Sequence, residues 1–304
     1  MPFSDRIKIS AIIATYNRER YIPGVLESLL KQTLDKNLFE IIIIDNNCTD
    51  NTQIICKKFI GDHKELNIRY ILETQQGLSN ARNCGINNSG SDLITFVDDD
   101  AFLSENFLEI CVQYFEKNPS VHAIGGKILL HYEGEKPRWV TVYHESIFGY
   151  FNPGEKEKEF KGGKYPRGSN MTFRKDVFVR HGLFNTKLGR TGSNLLGSEE
   201  KELFDRINYK SEKVVYVPEA LVYHSVPVER TTKIFVRKQA IGIGKSEKIR
   251  TISKGRINYL KRIFQEIIKW GATFILSLIY MFKLEFGKAK MIVFFRYYVT
   301  IGLL

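Results

Sequence analysis

Residues 92–100 read DLITFVDDD, an apolar run that ends in three consecutive aspartates. A short apolar run bounded by polar residues is typical of a buried strand. The same arrangement occurs twice upstream, in IKISAIIATYN at residues 7–17 and in FEIIIIDNN at residues 39–47. These patterns predict strands over residues 7–14, 39–44 and 92–97 and, more weakly, 68–72. Each of the three stronger strands leads directly into polar residues.

Helical patterns separate these strands, over residues 20–32, 51–59 and 78–88. Strands that alternate with helices indicate βαβ units, and therefore a mostly parallel sheet that is covered by helices on both faces. Ligands of such sheets bind beyond the carboxyl ends of the strands. We therefore expect Thr15–Asn17, Asp45–Asn47 and Asp98–Asp100 to lie along one rim of the sheet.

The pattern changes after residue 120. Further strands are predicted over residues 121–130, 168–173, 214–217 and 220–224, and a helix over residues 198–209. Residues 131–164 are polar and rich in Gly, Pro and Lys, which predicts a mobile excursion. The segment Gly168–Asn170 is either a plain turn into a strand or a source of backbone N–H groups near a ligand.

Positive charge is concentrated at the end of the chain. The net charge of the whole chain is +11, whereas residues 226–304 alone carry sixteen Lys and Arg against four acids. Such asymmetry suggests an anionic partner, either a membrane surface or nucleic acid. The aromatic residues of this segment cluster with aliphatic residues instead of lying between basic ones, which favours lipid or packing over nucleic acid.

Two stretches of the C-terminal segment are apolar but short for a transmembrane helix. Gly271–Phe282 has twelve uncharged residues, about 18 Å as a helix, and Arg296 interrupts the second stretch. Short apolar stretches flanked by Lys and Arg fit helices that lie on an anionic leaflet. The alternative is a helical hairpin packed on the rest of the chain or on a second subunit. The four cysteines lack metal-binding spacing and no secretory signal is recognised, which predicts reduced thiols and a cytoplasmic location.

The acidic triplet is the strongest chemical signal. An Asp-x-Asp sequence at a strand end can hold a hard divalent cation such as Mn²⁺ or Mg²⁺ through oxygen ligands. Three adjacent carboxylates repel one another unless a cation or protons compensate them. The alternative is a solvated acidic loop, and the position directly after an apolar strand favours the metal site. Asp45 is either an acceptor for a ribose or base donor or the N-cap of the helix that follows, and we favour the ligand contact because Thr49 or Asp50 suits the cap better.

Several motifs in order resemble the family 2 glycosyltransferases of the GT-A fold. They are IIATYNR, IIIIDNNCTDNT, GLSNARNCGI and ITFVDDDA, followed by GSNMTFRKDVF, GSEEKELFDRI and VYHSVPVERTT. The resemblance covers about residues 7–245 and implies a Rossmann-like, mostly parallel central sheet with flanking helices. We therefore predict a GT-A domain over residues 1–245, with a nucleotide-binding half over about 1–120 and an acceptor-side half over about 121–245, and a basic, amphipathic helical segment over 246–304.

The resemblance also implies roles for individual residues. On the donor-binding side it places Thr15, Tyr16, Asn17, Arg18, Asp45, Gly77, Ala81, Arg82, Asp98 and Asp99. Asp100 and His224 match the metal site, and Glu200 stands where the family has its catalytic base. Two departures concern Asn46, where a second acid is common, and the pair Glu199-Glu200 in place of Glu-Asp. Because neighbouring helical residues point about 100° apart, only one of the two glutamates is expected to face the cleft, and the base assignment stays open between them.

The resemblance implies an inverting transfer of a sugar from a nucleotide-sugar donor, with UDP expected as the nucleotide. The acceptor would be a glycan or lipid-linked hydroxyl in surface or exopolysaccharide synthesis, and the enzyme would lie peripherally on the inner face of the cell membrane. Two other classes compete with this interpretation. A sugar-phosphate nucleotidylyltransferase would need a Gly-rich phosphate loop after the first strand, which TYNRER does not provide. A non-catalytic nucleic-acid-binding protein would use the basic segment alone.

Overall fold

A computed structural model describes residues 7–192, 197–209 and 212–304. For Tyr209 it describes only the backbone. Nine strands form one sheet among these residues. They are β1 (Ile9–Thr15), β2 (Phe39–Asp45), β3 (Asn67–Leu72), β4 (Leu93–Asp98), β5 (Ala101–Leu103), β6 (Val121–Tyr132), β7 (Lys158–Glu159), β8 (Met171–Arg174) and β9 (Lys213–Val226). Their order is β3-β2-β1-β4-β8-β6-β9-β5, and β7 pairs with β9.

The first four strands of this order are parallel, as the sequence predicts. Strand β8 joins β4 in the antiparallel direction, as does β6 with β8 and β5 with β9. Strands β1 and β2 are buried along nearly their whole length because helices cover both faces, which explains their continuous apolar sequence.

Ten α-helices occur in the described residues. They are α1 (Ile22–Leu30), α2 (Thr52–Asp62), α3 (Leu78–Asn88), α4 (Phe107–Lys117), α5 (Val142–Glu145), α6 (Asp176–His181), α7 (Glu199–Tyr209), α8 (Lys233–Ser253), α9 (Arg256–Phe282) and α10 (Phe286–Leu303). The predicted helix positions in the first half are confirmed to within two or three residues at each end. The predicted helical character of residues 246–304 is also confirmed, because they contain the end of α8 and all of α9 and α10.

Two predictions for the second half differ from the structure. The two short strands predicted over residues 214–217 and 220–224 are one continuous strand, β9, and the proline at position 218 lies within it, where it removes only one hydrogen-bond donor. The excursion predicted as mobile contains the short helix α5, and its residues Val140 and Phe148 are buried in an apolar cluster with Val236 and Met291. Apolar residues dispersed among Gly, Pro and Lys gave no periodic signal for this packing.

The chain forms two compact units. The first comprises the described residues within Met1–Leu129, Phe151–Lys187 and Glu199–Ser225, and it contains the parallel half of the sheet and all the predicted site residues. The second comprises the described residues within Leu130–Tyr150, Leu188–Ser198 and Val226–Leu304, and it contains α8, α9 and α10.

Candidate active site

The three polar clusters meet at one edge of the sheet, as predicted. Thr15, the last residue of β1, is in register with Asp45, the last residue of β2. On the other side of β1, Ala14 is in register with Asp98, the last residue of β4. Because the three strands are parallel neighbours, their carboxyl ends place all three clusters in one row.

The loops after β1 and β2 are joined by side-chain hydrogen bonds. The Asn17 carboxamide accepts a hydrogen bond from the backbone N–H of Thr49 at 2.7 Å and donates to the Thr49 hydroxyl at 3.1 Å. Asn17 has a φ of 53°, a left-handed conformation that asparagine tolerates better than most residues. Its neighbour Tyr16 keeps 36% of its surface exposed, so its ring is available to a planar ligand.

Asp45 is buried, and both of its carboxylate oxygens accept hydrogen bonds within the protein. One accepts from the backbone N–H of Cys48 at 2.7 Å, and the other accepts from the Tyr70 hydroxyl. Burial and this hydrogen bond raise the pKa of Tyr70. Helix α2 begins at Thr52, so Asp45 is not its N-cap. The contact of Asp45 with a donor stays a prediction, and any such contact would use the second lone pair of an oxygen that already accepts.

Asn46 explains one departure from the family pattern. Its side-chain N–H groups donate to the carbonyls of Glu73 and Gln75 at 3.0 and 2.8 Å, and its side-chain oxygen accepts from the backbone N–H of Gly77 at 2.7 Å. An aspartate could make only the last of these contacts, because an ionised carboxylate has no N–H or O–H to donate. Asn46 therefore holds the loop that leads into α3.

Gly77 and Ala81 have structural positions on this loop and on α3. Gly77 precedes α3 with a φ of 138°, a conformation that a residue with a Cβ rarely adopts. Ala81 is 1% exposed within an apolar cluster that includes Ile12 and Phe96. The methyl group of Ala81 therefore packs in the core, and its contact with a donor stays a prediction.

Arg82 is the centre of the carboxylate cluster. Its guanidinium is fully buried and donates to Glu199 at 3.0 Å, to Glu200 at 3.2 Å and to Asp98 at 3.2 Å. The group also lies over the rings of Phe96 and Phe184, at 5.8 and 5.5 Å from the ring centroids. Burial by itself would lower the pKa of Arg82, but the surrounding carboxylates raise it above its ordinary value. The sequence places Arg82 among the donor contacts, whereas the structure shows it holding the three acids in place.

The two adjacent glutamates have different environments. The Glu199 side chain is 3% exposed, and burial together with the neighbouring Glu200 raises its pKa, which favours the protonated acid. The Glu200 side chain is 18% exposed. Burial opposes its ionisation, but Arg82 outweighs that effect and lowers the pKa of Glu200. Glu200 is thus the more accessible of the two glutamates, and its lowered pKa favours the ionised form.

Gly168 makes room for Glu200. A Cβ atom at position 168 would overlap the Glu200 carboxylate and lie 2.7 Å from Nη2 of Arg82. The side chain of Asn170 instead bridges β6 and β9, because it accepts from Gly126 N–H and donates to the carbonyls of Lys127 and Ala220. The segment Gly168–Asn170 is therefore more than a plain turn, and sequence inspection missed the close approach of Gly168 to the carboxylate cluster.

The acidic triplet is divided among three environments. Arg18 Nε lies 3.2 Å from Asp99 Oδ1, and Arg18 Nη2 lies 3.8 Å from Asp100 Oδ2. Burial raises the pKa of Asp99 to about 6, although Arg18 opposes the shift. Asp98 pairs with Arg82, as described above. The sequence places Asp99 among the donor-binding residues, which stays a prediction, and its contact in this structure is Arg18.

Asp98, Asp100 and His224 form a group that fits a divalent metal. Each offers one ligand atom, and these atoms lie within 4.8 Å of one another. His224 Nε2 is 3.2 Å from Asp100 Oδ1, although β4 and β9 are far apart in sequence. Two carboxylates and an imidazole are a suitable donor set for Mn²⁺, and the carboxylates alone suit Mg²⁺. The sequence places Asp98 among the donor-binding residues, at a ribose or donor-sugar contact, whereas the structure also brings it next to Asp100 and His224.

Comparison with known proteins gives consistent results. Residues 10–182 match the sequence pattern of the family described as Glycosyl transferase family 2. A glucosyl-dolichyl phosphate glucuronosyltransferase from Haloferax volcanii is 28% identical over 235 residues, which are 74% of this chain and 71% of the relative. Glycosyltransferase GlyA from Streptococcus pneumoniae is 26% identical over 76% of this chain, but the chain spans only 32% of GlyA. A poly(ribitol-phosphate) beta-N-acetylglucosaminyltransferase, TarS of Staphylococcus aureus, is 32% identical over 38% of this chain and 20% of its own length.

Solved structures show the same fold. The mannosyltransferase PcManGT from Pyrobaculum calidifontis, in complex with GDP-Man and Mn²⁺, has a TM-score of 0.65 and 14% identity, and covers 99% of this chain and 88% of its own. A fragment of S. aureus TarS in complex with UDP-GlcNAc has a TM-score of 0.55 and 19% identity, over 97% and 91% of the two chains. The predicted α/β architecture with C-terminal helices is confirmed.

Proposed function

The chain belongs to glycosyl transferase family 2, and from that membership we propose that it is an inverting enzyme with Glu200 as its catalytic base. Its relatives are glycosyltransferases, and a nucleotide-sugar donor is the substrate that the family match supports. One observation carries the proposal. The buried guanidinium of Arg82 donates hydrogen bonds to both Glu200 and Asp98. The proposed base and a proposed metal ligand are therefore positioned by the same side chain.

Glu200 would take the proton of the acceptor hydroxyl while the hydroxyl oxygen attacks the anomeric carbon. The bond from that carbon to the diphosphate oxygen breaks on the opposite face, and its electron pair leaves with the nucleotide diphosphate. Such direct displacement inverts the anomeric configuration. Glu199, which is more buried and favoured as the protonated acid, would support Glu200 without accepting this proton. The proposal therefore assigns the base to Glu200, where the sequence left both glutamates open.

Asp98, Asp100 and His224 would hold a divalent metal, which supplies positive charge for the diphosphate as it leaves. Arg18 already adds a cation next to Asp99 and Asp100. The donor would lie over the edge of the sheet, against the exposed ring of Tyr16 and near the loop of Asp45. We propose UDP as the nucleotide, which TarS binds in a solved complex, whereas PcManGT was solved with GDP-Man.

A glycan or lipid-linked acceptor is supported by the names of the relatives. They include enzymes of glucosyl-dolichyl phosphate, poly(ribitol-phosphate) and minor teichoic acid. The transferred group would be a hexosyl or N-acetylhexosaminyl unit in surface or exopolysaccharide synthesis. We also propose a cytoplasmic, peripheral location on the inner face of the membrane, in line with the basic charge of residues 226–304. The family match removes support from the nucleotidylyltransferase and nucleic-acid alternatives.

The two adjacent glutamates provide a matched test of the base. Glu200→Gln and Glu199→Gln are the same chemical change one residue apart. We expect donor hydrolysis or transfer to fall by about a hundredfold or more in Glu200→Gln, with donor affinity preserved, because general base catalysis contributes about 10²–10⁴-fold. Glu199→Gln should lose much less. A panel of nucleotide sugars with Mn²⁺ or Mg²⁺, followed by thermal shift, identifies the donor to use. Full activity in Glu200→Gln, or the larger loss in Glu199→Gln, would contradict the assignment.

The metal site has a separate test. Asp100→Ala should abolish transfer and remove the metal-dependent part of the donor-induced thermal shift, while the free protein stays folded. Transfer at the normal rate in this variant, with Mn²⁺ present, would remove the metal from the proposal.

A further inference from the structure

Helix α9 is amphipathic, but its polar face is buried and its apolar face is exposed, the reverse of a helix in a water-soluble protein. Its buried face is polar: Arg262, Glu266 and Thr273 are each at most 4% exposed. Most of its exposed residues are apolar, from Ile257 to Phe282, and exposed polar residues such as Lys261 and Gln265 occur among them. A helix packed in water normally buries its apolar stripe and exposes its charges, so the outward stripe calls for an apolar neighbour.

The inward charges of α9 are held by ion pairs within the second unit. Glu266 accepts from Arg262 at 2.8 Å and from Arg296 of α10 at 3.0 Å. Arg262 also reaches Glu247 of α8 at 3.1 Å. Since these partners are on α8 and α10, the polar side of α9 is the side that packs on the protein. The apolar stripe is therefore the outward side.

The outward stripe is broad and continuous. It runs through Ile257, Leu260, Phe264, Ile267 and Phe274, at spacings of three, four and seven residues. Ile268, Ile275 and Ile279 lie beside this row and are also exposed. A single partner helix in a coiled coil would need only a narrow stripe of two apolar positions per heptad. A stripe wider than about 100° around the helix fits a broader apolar surface, such as the interior of a bilayer.

Basic residues lie along the same helix and beyond its end. Arg256, Lys261 and Lys283 are exposed next to the apolar stripe. A second copy of this chain would bring the same excess of positive charge against itself, sixteen Lys and Arg against four acids in residues 226–304. An anionic bilayer supplies both the apolar phase and the opposite charge.

The helix is more consistent with lying along a membrane than with crossing it. Among the described residues α9 is the one helix long and apolar enough to cross, with 27 residues or about 40 Å. The apolar stretch seen in the sequence, Gly271–Phe282, is thus the end of a longer helix. A crossing orientation would carry the ion pairs of Glu266 into hydrocarbon, where charged groups are costly. Lying flat leaves those pairs on the side away from the lipid.

We propose that the outward face of α9, from Ile257 to Phe282, is a lipid-binding surface that lies flat in the headgroup region of an anionic bilayer. This proposal rests on the peripheral location proposed above and names the surface responsible for it. It makes no use of the catalytic residues.

Vesicle flotation with the full chain tests the surface, and the chain offers a matched control. Ile275 on the stripe is 62% exposed, and Ile54, on α2 of the first unit, is 65% exposed. Both are isoleucines on helices, so Ile275→Asp and Ile54→Asp are the same change at the same exposure. Phosphatidylcholine vesicles with and without phosphatidylglycerol are the probe. We expect Ile275→Asp to weaken binding to the anionic vesicles by about tenfold or more, and Ile54→Asp to bind as the unchanged protein does.

A second set of variants tests the contribution of positive charge to vesicle binding. Lys261→Glu with Lys283→Glu should reduce binding to anionic vesicles while leaving the weak binding to neutral vesicles unchanged, and added salt should act in the same direction. Circular dichroism confirms that each variant is folded.

Each outcome has a distinct meaning. Equal binding by Ile275→Asp and the unchanged protein would overturn the surface while leaving the peripheral location in place. No binding by the unchanged protein would overturn both. A dimer in light scattering that Ile275→Asp dissociates would overturn the lipid-binding surface, because a second copy would then cover it. Donor hydrolysis in solution is measured in parallel. If the unchanged protein does not hydrolyse any donor, the proposed enzyme function is contradicted, whereas the proposed lipid-binding surface is not affected.

Discussion

Replacing Arg82 by methionine should destabilise the protein by an amount that depends on pH. Methionine nearly fills the volume of arginine and keeps contact with Phe96 and Phe184, but it removes the cation that Glu199, Glu200 and Asp98 share. Glu199 is favoured as the protonated acid, and Asp98 keeps 31% of its side chain exposed to solvent. The main cost therefore falls on Glu200.

The size of the effect follows from the proton that Glu200 must bind. A glutamate has an ordinary pKa of about 4.3, and each unit of pKa corresponds to about 1.4 kcal/mol. Without Arg82, keeping Glu200 protonated at pH 7 would lower the free energy of unfolding by about 4 kcal/mol. Leaving it ionised and buried without its partner would lower that free energy by a similar amount, about 3–5 kcal/mol. In the variant the folded pKa of Glu200 is raised above the unfolded value. Its folded state then binds more protons, so its stability falls as pH rises above about 4.3.

Urea unfolding at pH 5 and pH 7 measures this difference. We expect Arg82→Met to lose about 1 kcal/mol relative to the unchanged protein at pH 5 and about 3–4 kcal/mol at pH 7. Lys8→Met is the control, because the Lys8 side chain is 37% exposed and pairs with Glu116, which is 54% exposed, so its loss should stay below about 1 kcal/mol at both pH values. Equal destabilisation of Arg82→Met at the two pH values would refute the reasoning. So would a loss at pH 7 as small as that of the control.

Three further predictions concern neighbouring residues. Gly168→Ala should lower turnover by about tenfold or more, since the new methyl group displaces the Glu200 carboxylate and crowds Arg82, and normal turnover in this variant would show that the approach is not critical. Asn46→Asp should weaken donor binding in calorimetry and cost about 1–3 kcal/mol in urea, because two loop carbonyls lose their donors, and unchanged unfolding would contradict this. Glu199 has a raised folded pKa, so stability should decline as pH rises above about 4.3. Glu199→Gln should flatten that decline between pH 5 and 8, and an unchanged slope would assign it to another group.

The sheet and its edge are predictable because their signals are local. Strands β1, β2 and β4 are apolar runs that end in polar clusters, and the rule for parallel sheets places those ends together. The C-terminal helices are predictable for the same reason. The packed segment around Val140 and Phe148 was not, because its few apolar residues follow no period and their partners are on distant helices.

Residue types and their order along the chain determined the parallel sheet, the position of the acidic triplet at its edge and the basic charge of the C-terminal segment. Only the tertiary structure decided how those residues act on one another. Arg82 and Glu199 are 117 positions apart, and the fold makes Arg82 the support of three carboxylates. The fold also separates the pKa values of Glu199 and Glu200 and turns the apolar side of α9 outward. The reason is physical: periodicity acts through neighbours in sequence, whereas burial and charge act through neighbours in space.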